Sequence, residues 1–209
     1  IGIVSRLTDQ KGFDLIAYIM DELLSTERVQ FVVAGTGEAR YQDMLSYFAG
    51  KYPDKMKVHI GYSEELAHQI YASCDAFLMP SLFEPCGLSQ LMSLRYGTVP
   101  IVRETGGLKD TVIPYNEYTK EGTGFSFANY NAHEMLAIIR YAKKTYFNDR
   151  RAWNEMVLRA MKQDFSWDAS AREYEKLYDG LIEEEARRKE AIRLQQAREA
   201  AEAALKEAE

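Results

Sequence analysis

Short runs rich in Val, Ile and Phe alternate with segments of helical periodicity from residue 1 to about residue 129. The candidate strands are residues 1–5, 29–34, 57–60, 76–79, 99–102 and 124–127. Between them, helical spacing of apolar residues predicts helices at 13–24, 41–48, 65–72 and 88–96. Several strands are apolar on both faces, as a parallel sheet covered by helices on both sides requires. The alternation therefore predicts an α/β fold with a doubly wound, Rossmann-like parallel sheet.

Beyond residue 127 the pattern predicts helices only, at 132–146, 151–161 and from Ser166 or Trp167 onward. Either Ser166 or Asp168 is expected to cap the last helix. Residues 183–209 contain no Gly, Pro or aromatic residue and are rich in Ala and charges, which favours one continuous helix. We therefore predict a Rossmann-like domain over 1–182 and a helical extension over 183–209. This extension could be a solvated spacer, or it could pair with a second copy or a partner helix.

Composition excludes several classes of function. Among 209 residues only two are cysteines, which excludes a disulfide scaffold and favours a reducing compartment such as the cytoplasm. The net charge of −6 argues against a nucleic-acid partner, and no apolar run reaches the roughly 18 residues that a membrane span needs. A first strand that begins at Ile1 without an initiator Met favours a piece of a longer chain.

The loops after the first two strands carry candidate ligand-binding residues, because an open parallel sheet binds ligands at the carboxyl ends of its strands. Arg6 and Lys11 follow the first strand, and these cations could hold a diphosphate or simply be solvated. Gly35 and Gly37 follow the second strand and permit close approach to a ligand. A dinucleotide fingerprint would need Gly or Ala at position 40, where this chain has Arg, so a tight turn is the alternative.

Later loops supply an aromatic residue, a carboxylate and glycine turns. Tyr62 follows the third strand and could stack on a base or merely cover the sheet edge, while Ser63 could cap the next helix. Glu84 could accept hydrogen bonds from sugar hydroxyls, and Gly87 leaves amides open at a helix start, which suits an anion. Residues 105–107 (Thr-Gly-Gly) offer a second turn of bare amides. Together these loops suggest a site for a nucleotide sugar.

Three motifs carry a family resemblance: Ser-Arg-Leu-Thr-Asp-Gln-Lys-Gly at 5–12, Phe-Glu-Pro-Cys-Gly-Leu at 83–88, and Tyr-Gly-Thr-Val-Pro at 96–100 with Thr-Gly-Gly-Leu-Lys-Asp-Thr-Val at 105–112. From residue 1 to about 181, the chain closely resembles the C-terminal half of bacterial glycogen synthases and plant starch synthases. These are retaining GT-B glycosyltransferases that move glucose from ADP-glucose to the non-reducing end of an α-1,4-glucan.

The resemblance implies roles for individual residues. Arg6 and Lys11 would hold the diphosphate and offset charge on the leaving ADP, and Glu84 would contact the donor glucose. The remaining donor-binding candidates are Gly35, Tyr62 at the adenine, Cys86, Gly87 and Leu88 along the amide turn, and Thr105 and Gly106 near the sugar or phosphate. The resemblance implies no metal ion and no cofactor besides the donor, and the three histidines show no ligand spacing.

The sequence departs from the wider group of retaining enzymes at Met92, where many carry a second Glu, although glycogen-synthase-like sequences commonly lack it too. The family's N-terminal domain, which supplies further donor contacts and most of the acceptor surface, is not in this sequence. We therefore expect nucleotide affinity but little turnover from the chain alone. Two alternatives stay open: a non-catalytic nucleotide-binding or scaffold module that uses its helical tail, and a relative that uses UDP-glucose.

Overall fold

Six parallel strands form the sheet, and each of them coincides with a candidate strand of the sequence. The strands are β1 Gly2–Val4, β2 Phe31–Gly35, β3 Met56–Ile60, β4 Ala76–Met79, β5 Val99–Arg103 and β6 Phe125–Phe127. Their order across the sheet is β3-β2-β1-β4-β5-β6, and every neighbouring pair runs parallel. This order confirms the predicted doubly wound, Rossmann-like sheet.

The computed structural model describes residues 1–207, apart from the side chains of residues 202 and 205–207, so residues 208 and 209 of the predicted extension lie outside the described residues. Its helices are α1 Phe13–Thr26, α2 Ala39–Lys51, α3 Glu64–Ser73, α4 Ser89–Tyr96, α5 Gly106–Thr111, α6 Ala132–Asn148, α7 Arg150–Met161 and α8 Trp167–Glu207. The hydroxyls of Ser63 and Ser166 cap α3 and α8, as expected for these serines. Helix α5 was not predicted, because it is only six residues long and begins with two glycines.

Alternate residues along the central strands pack into cores on opposite faces of the sheet. Ile3 and Val33 lie in the core beneath α1, α2, α6 and α7, whereas Val4 and Val32 pack in the smaller core beneath α3. Because side chains of a strand alternate between its two faces, strands covered on both sides must be apolar at every position. This explains why these strands read as continuous apolar runs in the sequence.

The chain divides into two units, the first spanning Ile1–Gln163 and the second beginning at Asp164. The second unit consists mainly of α8, a helix with ion pairs along its surface such as Lys176 with Glu173 at 2.6 Å. The boundary predicted at residue 182 falls inside α8 and stays a prediction. No helix within residues 1–207 combines the length and the apolar character needed to cross a membrane.

The strand order reverses between β1 and β4, which are neighbours in the sheet although the chain visits β2 and β3 between them. The connections that leave the carboxyl ends of β1 and β4 therefore border one crevice. In doubly wound folds this crevice is the place where ligands bind. It brings the loop over residues 5–12 next to the loop over residues 80–88.

Candidate active site

A cleft of about 260 Å³ lies at the carboxyl ends of β1 and β4. The polar and glycine residues that line it come from the two loops and the start of α4: Ser5, Lys11, Ser81, Glu84, Gly87 and Ser89. Of the predicted site residues, the cleft brings together Lys11, Glu84, Gly87 and Leu88. These four are more than 70 positions apart in the sequence at their extremes, and only the adjacency of β1 and β4 unites them.

Lys11 and Glu84 form an ion pair inside the cleft. The Nζ atom of Lys11 lies 2.5 Å from Oε2 of Glu84, and the two side chains are only 17% and 10% exposed. The buried hydroxyl of Ser81 also donates to Oε2 of Glu84, at 3.3 Å. Since the pair is shielded from water, its attraction is stronger than that of a surface salt bridge. Lys11 was predicted to bind the diphosphate and Glu84 the sugar, so this contact between them was not anticipated.

The loop that carries Lys11 is held in place by Asp9, the first residue of a 3₁₀ turn that ends at Lys11. The carboxylate of Asp9 accepts hydrogen bonds from Tyr41 and from Arg40, the latter at 2.5 Å. The Tyr41 hydroxyl and the Arg40 guanidinium hold the pKa of Asp9 below its ordinary value. Asp9 is therefore charged at neutral pH and anchors the turn to α2.

Arg6 lies on the same loop but points to solvent. Its exposed guanidinium donates a long hydrogen bond of 3.4 Å to Oε1 of Gln10 and does not line the cleft. The neighbouring Ser5 is a lining residue, so the guanidinium of Arg6 begins one position from the cleft. A long, weakly held side chain of this kind can swing toward an anion bound there.

The turn before α4 presents main-chain amides. Gly87 has a φ of 72°, a conformation that favours glycine, and an added Cβ would lie 2.3 Å from Oε1 of Gln90. Gln90 is fully buried, and its Nε2 donates to the carbonyl oxygens of Cys86 at 2.9 Å and Gly87 at 3.0 Å. In the described part of the chain no side chain caps α4, so amides of its first turn stay available to an anion.

The second glycine turn supports the Glu84 loop. The amide of Gly107 donates to the carbonyl oxygens of Glu84 at 3.2 Å and Pro85 at 3.1 Å, so it is not bare as the sequence analysis expected. An added Cβ on Gly106 would lie 2.2 Å from the carbonyl oxygen of Glu84. Thr105 is the residue that precedes α5 at this turn. The donor contacts predicted for Thr105 and Gly106 stay predictions.

The remaining predicted residues lie outside the cleft. Gly35 ends β2, where an added Cβ would lie 1.9 Å from the carbonyl oxygen of Ser5, so its close approach is to the Lys11 loop. Tyr62 follows β3 with its side chain projecting into solvent, and Cys86 is exposed beside Gly87. Within the described residues, no three His, Cys, Asp or Glu side chains are grouped as a metal site would require.

Sequence reasoning missed three residues that shape the cleft, namely Ser81, Gln90 and Arg103. Ser81 and Gln90 are buried polar residues in a motif whose neighbours carry the chemistry. Buried polar groups are normally hydrogen-bonded, and both of these bind the Glu84 loop. The sequence offered one signal, a polar residue at a position expected to be buried. Periodicity alone does not show which group such a residue binds.

The sequence profile of glycosyl transferases group 1 matches residues 1–157 of the chain. Because this match covers most of the chain and the cleft lies within it, the chain belongs to this family of glycosyltransferases.

Two glycogen synthases are close relatives of this chain. The chain is 70% identical over 181 residues to the glycogen synthase of Lachnospira eligens and 56% identical over 182 residues to that of Clostridium acetobutylicum. In each case the alignment covers 87% of this chain and 38% of the relative. The chain therefore spans well under half the length of these relatives, and the expected likeness to glycogen synthases is confirmed.

A solved starch synthase structure also resembles this chain. The catalytic domain of Starch Synthase IV from Arabidopsis thaliana, bound to ADP and acarbose, matches with a TM-score of 0.76 and 35% sequence identity. The superposition covers 85% of this chain and 37% of that domain. Sucrose-phosphate synthase from Thermosynechococcus elongatus matches with a TM-score of 0.61 at 20% identity, which shows a shared fold only.

Proposed function

We propose that this chain is the donor-binding part of a glucosyltransferase that moves glucose from ADP-glucose to an α-1,4-glucan with retention of configuration. The observation that carries the proposal is the convergence of Lys11, Glu84 and the Gly87 turn in one cleft at the point where the strand order reverses. The similarity to glycogen synthases supports the reaction, and the ADP in the starch synthase structure supports the nucleotide.

In the proposed complex the diphosphate lies between Lys11 and the start of α4. An ammonium group and unpaired helix amides both attract phosphate oxygens, and Arg6 can swing in from the adjacent position. These fixed donors stabilise the negative charge that grows on ADP as the glucose leaves, which lowers the barrier of the transfer. Thr105 and Gly106, near the sugar or phosphate, and Tyr62, at the adenine, are proposed to complete the donor contacts.

Glu84 is proposed to accept hydrogen bonds from hydroxyls of the donor glucose. In the structure its carboxylate binds Lys11 and Ser81. Donor binding would move Lys11 onto the diphosphate and free Oε2 of Glu84 for the sugar. The ion pair thus keeps two buried charges neutralised until a ligand supplies their proper partners.

We propose that the chain alone binds the nucleotide but transfers little glucose. It spans 38% of the length of the glycogen synthases, and water must be kept from the reacting centre by a closed site. The glucan acceptor and the rest of the donor site would belong to the remainder of the enzyme. The proposal includes neither a metal ion nor a cofactor.

Calorimetric titration of the chain with ADP, UDP and NAD tests the proposal. ADP should bind, UDP should bind more weakly, and NAD should not bind. A preference for UDP would instead support a UDP-glucose enzyme, and no binding of any nucleotide would favour a scaffold role. Glucose transfer from labelled ADP-glucose to glycogen should stay near background, so robust transfer by the isolated chain would contradict the proposed dependence on the rest of the enzyme.

A further inference from the structure

Arg103, the last residue of β5, joins loops that belong to different strands. Its Nε donates to the carbonyl oxygen of Ser81 at 2.7 Å, one terminal nitrogen donates to that of Leu82, and the other donates to that of Ala128 at 3.3 Å. Among the described residues Arg103 forms no ion pair, so its donors serve main-chain carbonyls alone. A planar guanidinium fixes the directions of its hydrogen bonds, which a flexible ammonium does not.

A single residue, Ser81, links Arg103 to Glu84. Ser81 accepts from Arg103 through its carbonyl oxygen and donates to Oε2 of Glu84 through its hydroxyl. Ser81 is buried, so it has little freedom to move while both bonds are made. The position of Arg103 therefore sets the position of the loop that presents the Glu84 carboxylate.

Tyr130 extends the same network to the loop of Lys11. The guanidinium carbon of Arg103 lies 5.7 Å from the centre of the Tyr130 ring, within the range of a cation–π contact. The Tyr130 hydroxyl donates to the carboxylate of Asp14 and lies 3.0 Å from the carbonyl oxygen of Asp9. Burial and the bond to Asp14 raise the pKa of Tyr130, so the hydroxyl keeps its proton. Asp9 begins the turn that ends at Lys11.

We propose that Arg103 and Tyr130 are positioning residues that hold the loops of Lys11 and Glu84 in register and thereby set the affinity of the cleft for the donor. The inference about donor affinity rests on the proposed function. Binding and catalytic groups must be held within well under 1 Å of their productive positions. Residues that brace two loops by fixing their positions therefore affect affinity without touching the ligand. The direct bond from the Leu82 amide to the carbonyl oxygen of Gln10, at 2.9 Å, completes the connection between the loops.

Three variants of the 209-residue chain test the proposal. Arg103→Met removes every hydrogen bond of the guanidinium. Arg103→Lys keeps the charge, but its single ammonium group cannot bond the carbonyl oxygens of Ser81 and Leu82 together with that of Ala128. Tyr130→Phe keeps the ring and loses only the hydroxyl, so it serves if the Arg103 variants fail to fold. We expect roughly tenfold weaker ADP binding for both Arg103 variants and a smaller loss for Tyr130→Phe.

Arg159→Met is the matched control. Arg159 on α7 also binds loop carbonyls, those of Gly122 at 3.0 Å and Lys120 at 2.6 Å, but this loop does not line the cleft. The control should lower thermal stability about as much as Arg103→Met while leaving ADP affinity unchanged. Equal weakening of ADP binding by the control would show that both arginines act only through general stability, and would overturn the proposal.

Hydrogen exchange without nucleotide separates this proposal from the proposed function. In Arg103→Met and in Tyr130→Phe, amides of residues 5–12 and 80–88 should exchange faster together, while those of β2 and β3 stay protected. Unchanged exchange in both segments overturns the brace, even if the wild-type chain fails to bind ADP and the proposed function falls. If the wild type binds ADP and the variants bind it equally well, the brace does not set affinity and the proposal is wrong.

Discussion

Replacing Glu84 by Gln should weaken the folded state and, at the same time, tighten ADP binding. Lys11 is paired with Glu84 at 2.5 Å, so ADP must compete with the carboxylate for the ammonium group. Glu84→Gln removes that competitor but leaves an amide oxygen that still accepts a hydrogen bond. The buried cation then lacks a full counter-charge, which a phosphate can supply.

The magnitude follows from the exposure of the pair. Breaking a fully buried ion pair costs about 3–5 kcal/mol, and exposed pairs contribute about 0–1 kcal/mol. With side chains 17% and 10% exposed and a hydrogen bond retained, we expect Glu84→Gln to cost roughly 1–3 kcal/mol in the free energy of unfolding. At roughly 2–4 °C per kcal/mol this lowers Tm by roughly 2–12 °C. If about 1.4 kcal/mol of this cost is regained on binding, ADP affinity strengthens by roughly tenfold.

Calorimetry with ADP measures the affinity, and thermal unfolding with and without ADP measures stability in the same variants. Lys11→Met should lose most of the ADP affinity, because a charge-assisted contact is worth roughly 1.5–3 kcal/mol. Glu155→Gln, which removes an equal charge from a surface pair on α7, should change neither quantity appreciably. ADP binding to Glu84→Gln that is no tighter than in the wild type would refute the competition between carboxylate and phosphate for Lys11.

Three further perturbations test the fold and the extent of the site. Lys143 and Arg140 hold the pKa of Glu27 below its ordinary value of 4.5. The stability that this carboxylate contributes is therefore complete above pH 4.5 and is lost as the pH falls through the lowered pKa of the folded state. Below about pH 4.5, Tm should therefore fall less steeply with pH in Glu27→Gln than in the wild type. Gly107→Ala should lower the free energy of unfolding by more than about 2 kcal/mol and abolish ADP binding, because the new Cβ would lie 1.9 Å from a carbonyl oxygen. Gly50→Ala in α2 has open space around its Cβ and should raise the free energy of unfolding by about 0.5–1 kcal/mol. Denaturant titration compares the two variants. Deleting residues 183–209 should leave the Kd for ADP unchanged, because every cleft residue lies within the first unit, and a changed Kd would contradict this assignment.

The strands were predictable because the physics that fixes them is local. A strand buried on both faces must be apolar at consecutive positions, and Ile3 with Val4 already shows this in the sequence. Caps were predictable for the same reason, since Ser63 and Ser166 need only reach an amide three residues ahead. Helix α5 escaped because its two glycines and six residues carry no periodic signal.

The contacts within the cleft were not predictable from spacing. Lys11 and Glu84 meet because β1 and β4 are neighbours, and strand order is a property of the whole sheet. Gly107 shows a second kind of failure: its motif indicated a bare amide, but the amide is consumed by carbonyl oxygens of the adjacent loop. Residue types indicate which hydrogen-bond donors exist. Only the packed structure shows which of them already bond another group of the protein.

The convergence of cations and amides on a diphosphate is tested most directly by comparing ADP with AMP in calorimetric titrations of the wild-type chain and of Lys11→Met. The wild type should bind ADP at least roughly tenfold more tightly than AMP, since only ADP offers the second phosphate to Lys11 and the α4 amides. In Lys11→Met this preference should be much smaller, because only Arg6 and the α4 amides remain to bind the second phosphate. Equal affinities in the wild type, or an undiminished preference for ADP in Lys11→Met, would contradict the diphosphate site.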